Sequence, residues 1–312
     1  MVYESVATMA AGLVLMFFSS KYAIRYAIGI SESLALGRFA VGFIFIAVTT
    51  ASPELFIAIS STLHGEPGLA VGNALGSVFA NLTIILGAAV LIGGTMVLKK
   101  DHLGDLIEIL FVSALISLFL IQAGKLTTFQ GLILVVLFIF FINKIKREKI
   151  PTKTKPDVFV LFNRLTRFLP AVALLVVSSE LIVRASIDIV SAYGLSPEFI
   201  GLTIIAVGTS LPELAVGIRS IHAKEYALAL GDLFGSSVID LTLVMGTVAL
   251  LNPVPVDLVH VGGVMPFMMA SILAAWYLLS EQRSITRKIA ILLISMFVIF
   301  ILEQIGLFVL FG

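Results

Sequence analysis

A chain of 312 residues that is 59% hydrophobic and only 12% charged, with a mean hydropathy of +1.13, carries more apolar surface than a soluble core of that size can hide. The composition excludes a soluble globular domain and predicts an all-α, polytopic membrane protein. The absence of cysteine excludes disulfide and thiolate chemistry, and the net charge of +1 carries no signal for nucleic acid.

At about 20 residues per spanning helix, ten apolar stretches can be drawn, at 5–28, 38–63, 69–96, 104–123, 127–144, 165–192, 198–221, 227–250, 258–279 and 288–311. The chain enters the first of them without a basic leader or a small-residue cleavage site, so no removable signal is expected. The long polar interval 143–167 holds eight Lys or Arg against Glu148 and Asp157, which places it in the cytoplasm by the excess of positive charge on inner loops. Arg38, Lys99, Lys100, Arg219, Lys224, Arg283, Arg287 and Lys288 then fall on the same side. Lys125 is the basic residue left for the outer connections. Both termini are expected outside, in a cell (inner) membrane.

The stretch 41–87 is written twice. Laid over 200–246 at a constant offset of 159, it matches at 19 of 47 positions without a gap. The matches concentrate in Ala-Val-x-Thr-x-x-Pro-Glu-Leu (47–55 and 206–214) and Gly-x-x-x-Gly-Ser (72–77 and 231–236). Ser19, Ser20 and Arg25 also map onto Ser178, Ser179 and Arg184, while Lys21 falls opposite Glu180. Five helices before the linker is an odd number, so the second half enters the membrane upside down. The expectation is two inverted five-helix repeats, 1–144 and 165–312, joined by a basic linker 145–164.

Glu54 and Glu213 lie inside apolar spans, where an ionisable group costs at least about 2.5 kcal/mol and normally faces a cavity or the bundle interior. The proline before each deprives a carbonyl four residues back, on Thr49 or Gly208, of its helical donor. Such a carbonyl beside a carboxylate and the hydroxyls of Thr50, Ser52, Thr209 and Ser210 suits a hard cation. The following helix of each half adds a polar stripe at i, i+4, i+8: Asn73, Ser77 and Asn81, then Asp232, Ser236 and Asp240. Gly72, Gly76, Gly231 and Gly235 permit close packing. With no His or Cys in the set, an all-oxygen site for calcium, sodium or magnesium follows. The plainer alternative is that each glutamate caps a half-helix or satisfies a buried hydroxyl network. Ser52 and Ser237 read equally well as interhelical glue, and Glu108, Asp188 and Glu303, without repeat partners, as interfacial or structural groups.

Thr-Ser-Leu-Pro-Glu (209–213), its variant Thr-Ala-Ser-Pro-Glu (50–54), Gly-Asn-Ala-Leu-Gly-Ser and Gly-Asp-Leu-Phe-Gly-Ser resemble the alpha-repeats of the calcium/cation antiporter superfamily. The resemblance covers nearly the whole chain. It implies calcium as transported substrate, alternating access with helices 1 and 6 sliding across the bundle, and a site on helices 2, 3, 7 and 8. Its ligands fall on Glu54, Glu213 and the backbone of Thr50 and Thr209, with Asn73, Ser77, Asn81, Asp232, Ser236 and Asp240 as further polar ligands.

The counter-ion rests on departures from that pattern. Sodium exchangers of the superfamily generally carry a serine after the threonine in both repeats; Ser210 keeps it, but its mate is Ala51. Asp232 stands where sodium exchangers commonly have an amide. Four carboxylates around one divalent ion leave a surplus of negative charge that protons neutralise when calcium leaves. The glutamate- and histidine-containing second motif of proton exchangers is missing, however, and the repeat text itself resembles a prokaryotic sodium/calcium exchanger. The expected function is therefore calcium/proton antiport, with sodium/calcium exchange as the alternative and a passive cation channel as the lesser one. Leu230-Gly231-Asp232 lacks the first glycine of an intramembrane protease motif, and no enzyme, cofactor, nucleic acid or obligate protein partner is expected.

Overall fold

The computed structural model describes residues 2–33, 46–97, 104–146, 158–256, 258–278 and 284–311. The chain is mostly helical. Helix α1 spans Val2–Ser33; α2 comes in two pieces, Ala47–Thr50 and Ser52–Leu63; α3 spans Pro67–Gly93. Helices α4 (Gly104–Ile121), α5 (Thr128–Lys146) and α6 (Val158–Tyr193) follow. Next come α7 (Pro197–His222), α8 (Tyr226–Leu251), α9 (Leu258–Tyr277) and α10 (Arg287–Phe311). Among the described residues six helices are long and apolar enough to cross a membrane, and three shorter apolar helices accompany them.

Several boundaries differ from the expectation. Helix α6 starts at Val158, so residues 158–164 belong to it and not to the linker. The apolar run from Val158 to Phe162 extends the helix backward because Asn163 and Arg164 alone are too few polar residues to stop it. Positions 147–157 of the linker and 38–45 of the second stretch, with five residues of the repeat, lie outside the described residues, as do the loop cations Arg38, Lys99, Lys100 and Arg283.

Helices α1 and α6 are 32 and 36 residues long, about 48 and 54 Å at 1.5 Å per residue, longer than the ~30 Å of a bilayer core. They pack on each other, with Met9, Met16 and Ala23 of α1 and Ile182, Val183 and Ala185 of α6 in an apolar core that also takes in Ile57 of α2, Leu69 of α3 and Ile200 and Ile205 of α7. A second, larger core holds the remaining helices. Asp188 of α6 accepts a hydrogen bond from Ser5 of α1 at 3.0 Å, a structural role.

Two devices break the regular helices. Pro53 and Pro212 cannot donate to the turn behind them, and α2 and α7 each stop for one residue, at Ala51 and Ser210, before a new 12-residue helix begins. The carbonyl of Thr49 does not stay free, because the Ser52 hydroxyl donates to it at 2.6 Å. Wider π-helical turns interrupt α3 at Asn81–Ile85, α7 at Gly201–Ile205 and α8 at Asp240–Val244. Turns of this kind insert one residue and gather at functional sites.

Four two-residue strands tie the ends together. β1 (Met96–Val97) pairs antiparallel with β4 (Ser284–Ile285), and β2 (Lys125–Leu126) with β3 (Val254–Pro255). Behind α3, Phe79 packs edge-on against Phe300 at 4.9 Å and against Phe267 at 6.0 Å, fixing α9 and α10 to it.

In front, α3 crosses the first turns of α7 backbone to backbone. A Cβ on Gly76 would stand 2.6 Å from the Leu202 carbonyl oxygen, and one on Gly201 would stand 2.5 Å from that of Leu69. A backbone oxygen cannot swing aside, so Gly76→Ala is expected to push the helices apart at a cost of about 1–3 kcal/mol. The check is a thermal unfolding midpoint in detergent several degrees below wild type; an unchanged midpoint would show that this crossing is loose.

Candidate cation site

The broken helices and the two stripes meet in the middle of the larger core. Thr50, Glu54, Asn73, Ser77, Asn81, Thr209, Ser210, Glu213, Asp232, Ser236 and Asp240 are all buried, none more than 1% exposed. Sequence spacing alone puts each stripe on one face of its helix. The fold brings those faces to the proline breaks of the opposite half.

The contacts cross between the halves in matching pairs. The Thr50 hydroxyl donates to Asp232 Oδ1 at 2.8 Å, and the repeat-mate Thr209 hydroxyl donates to Asn73 Oδ1 at 3.3 Å. Ser77 lies 3.4 Å from Thr209, oxygen to oxygen, and Asn81 Nδ2 donates to Ser236 at 3.2 Å. Glu54 and Glu213 lie within electrostatic reach of each other, Asp232 faces Glu213, and Asp240 faces both glutamates.

The carboxylates themselves are left over. Both oxygens of Glu54, Glu213 and Asp240, and Oδ2 of Asp232, have no hydrogen-bond partner, nor do Asn81 Oδ1 and Ser210 Oγ. Glu54 faces its own backbone N–H and the Thr209 and Ser77 hydroxyls, and Glu213 its own N–H and the Thr50 hydroxyl. Among the described residues no three Asp, Glu, His or Cys side chains are already drawn together as a metal cage. Gly231 and Gly235 flank Asp232 on the same helix, as in the first half.

Two sequence candidates are satisfied locally: Ser52 by the Thr49 carbonyl, and Ser237 by the Leu233 carbonyl at 2.8 Å. Spacing in the sequence does not predict the π-helical turns. Asn81 and Asp240 open two of them, and the shared Leu-Thr that follows each (82–83 and 241–242) was the available signal.

The sodium/calcium exchanger protein family matches residues 4–143 and 165–306, leaving out the basic linker. The chain belongs to this family. Among relatives, the CaxA protein of Alkalimonas amylolytica is 30% identical over 305 residues, covering 92% of this chain and 94% of that one. The sodium/calcium exchanger MaX1 of Methanosarcina acetivorans is 24% identical over 344 residues, covering 93% and 95%. The fold is that of the sodium-calcium exchanger NCX_Mj, whose structure soaked with sodium and strontium superposes at a TM-score of 0.72, with 24% identity, over 96% of this chain and 98% of that one.

The Thr50–Asp232 bond is the shortest contact across the exchanger halves within the site. Removing its hydroxyl with Thr50→Val leaves a carboxylate oxygen unpaired, a loss of about 1.5–3 kcal/mol for a bond to a charged group. The expected result is an apparent affinity for the transported cation at least tenfold weaker, read from the concentration dependence of uptake, with Thr50→Ser close to wild type.

Proposed function

We propose that the chain is a secondary antiporter that exchanges calcium for protons by alternating access, with ten transmembrane helices in two inverted halves, 1–144 and 165–312, and the linker in the cytoplasm. The observation that carries this reading is the set of buried carboxylate oxygens without partners. A charge taken out of water costs several kcal/mol unless it is paired, and a transported dication is the partner that such a set lacks.

The strand pairs support the inverted arrangement. β1 follows the third stretch of the first half, yet its partner β4 follows the fourth stretch of the second; β2 and β3 reverse this relation. Equivalent connections thus lie at opposite ends, as they must when one half is upside down.

Calcium binds between Glu54 and Glu213, with Asp232, Asp240, Asn73, Ser77, Asn81, Ser236 and the Thr50 and Thr209 segments completing an all-oxygen shell. When it leaves, protons settle on the same carboxylates. One site shared by two ions couples their movements without a second pathway, and inward proton flow drives calcium out. Ala51, buried at 1%, offers no hydroxyl opposite Ser210, and Asp232 adds a charge where its mate Asn73 has none. Both changes favour protons over sodium. Sodium/calcium exchange is the second reading, favoured by the family match and by Ser210, whose buried hydroxyl oxygen is unpaired.

Calcium uptake into proteoliposomes tests the choice, with either an inside-acid or an inside-sodium gradient imposed and the other ion clamped. Uptake on the pH gradient alone is expected; uptake on sodium alone would overturn proton coupling. Glu54→Gln and Glu213→Gln are each expected to reduce uptake to the level of empty vesicles, and native rates in either would remove that glutamate from the site.

A further inference from the structure

The duplication makes it possible to compare two seams. In the second half, the long helix α6 is tied to the end of α2 by Glu180. Its Oε2 accepts from Ser60 at 2.6 Å, and its Oε1 accepts from Arg184 at 2.6 Å and lies 3.3 Å from His64 Nε2. The repeat offset carries Glu180 to Lys21, Arg184 to Arg25, Ser60 to Arg219 and His64 to Ala223. The corresponding seam, between α1 and the second piece of α7, thus keeps the arginine, gains two cations and loses the carboxylate.

That seam is open. A cavity of about 370 Å³ runs along it, with Phe17, Ile24, Ile46 and Val216 among its apolar walls and Lys21, Arg25 and Arg219 on the same lining. All three cations are exposed, and among the described residues none makes an ion pair or a side-chain hydrogen bond. Among the described residues Glu225 is the one acid on the lining, against the three positive charges of Lys21, Arg25 and Arg219. Lys21 and Arg25, four residues apart, share a face of α1.

We propose that this cavity binds an anionic phospholipid, whose phosphate sits among Lys21, Arg25 and Arg219 and whose acyl chain lies along the apolar wall. The headgroup supplies to the α1–α7 seam the negative charge that Glu180 supplies to the α6–α2 seam, and ties the long helix to its neighbour in the same way. The occupant is amphiphilic because the cavity is: cations alone would suit a free phosphate, but they stand on an apolar slot in a chain surrounded by lipid. This inference goes beyond the transport reading and does not depend on which ions are exchanged.

The test uses the full chain, purified in detergent and offered phosphatidylglycerol or phosphatidylcholine, with bound lipid counted by native mass spectrometry. Wild type is expected to retain phosphatidylglycerol preferentially. Arg219→Gln should weaken that retention about fivefold, the effect of one basic residue near an anionic lipid, and Lys21→Glu should weaken it more, because it installs a carboxylate where Glu180 stands in the other half. Since the chain has no cysteine, Val216→Cys gives a single thiol on the wall; phosphatidylglycerol vesicles should slow its maleimide labelling, and the added change Lys21→Glu should abolish that protection. Equal retention of the two lipids by wild type, or undiminished retention by both charge variants, would overturn the site. Protection of the thiol by inorganic phosphate as strong as that by the lipid would overturn the lipid assignment. Circular dichroism and the elution profile confirm that the variants fold. Neither readout needs transport, so a failed antiport reading leaves this one standing.

Discussion

Four buried carboxylates, those of Glu54, Glu213, Asp232 and Asp240, leave seven oxygens without a well-formed hydrogen bond, and most of the unusual local structure around them makes sense as the means of holding them there. Unpaired acceptors of this kind are destabilising in a closed apolar core, where each costs about 1–3 kcal/mol and more when charged. The proline breaks place Glu54 and Glu213 at the start of new helices, with the favourable end of each helix dipole near the carboxylate. The π-helical turns open at Asn81 and Asp240. Glycines let α3 and α7 cross at backbone distance, without which the two stripes would not reach the breaks of the opposite half.

The crossing is reciprocal, and that is what makes two halves one site. Each motif threonine bonds to the stripe of the other half, Thr50 to Asp232 and Thr209 to Asn73. A single half has a broken helix and a polar stripe but no partner for either. The same reciprocity exposes where the halves have diverged. Asn73 against Asp232, and Ala51 against Ser210, give the two sides unequal charge and unequal hydroxyl supply, and Lys21 against Glu180 does the same for the long helices.

The long pair α1 and α6 packs in an apolar core that also includes Ile57 of α2, Leu69 of α3 and Ile200 and Ile205 of α7. One seam is bridged by Glu180; the other is lined by cations. The two long helices thus meet α2 and α7 through apolar contacts and, along the seams, through charged groups.

Much was legible in the sequence because membrane burial is written in composition and duplication is written in spacing. Apolar stretches of spanning length, the offset of 159, the two glutamates after proline and the stripes at i, i+4, i+8 are local properties, and among the described residues the prolines stand at helix breaks and the stripes on buried faces. Spacing within one helix cannot say which other helix it will face. The pairing of Thr50 with Asp232, the capture of the Thr49 carbonyl by Ser52, the extension of α6 back to Val158 and the π-helical turns depend on contacts between segments far apart in the chain or on competition for a hydrogen bond. The difference between a bridged seam at Glu180 and an open one at Lys21 is of the same kind: the sequence names the charges, and only the packed structure decides which of them find partners.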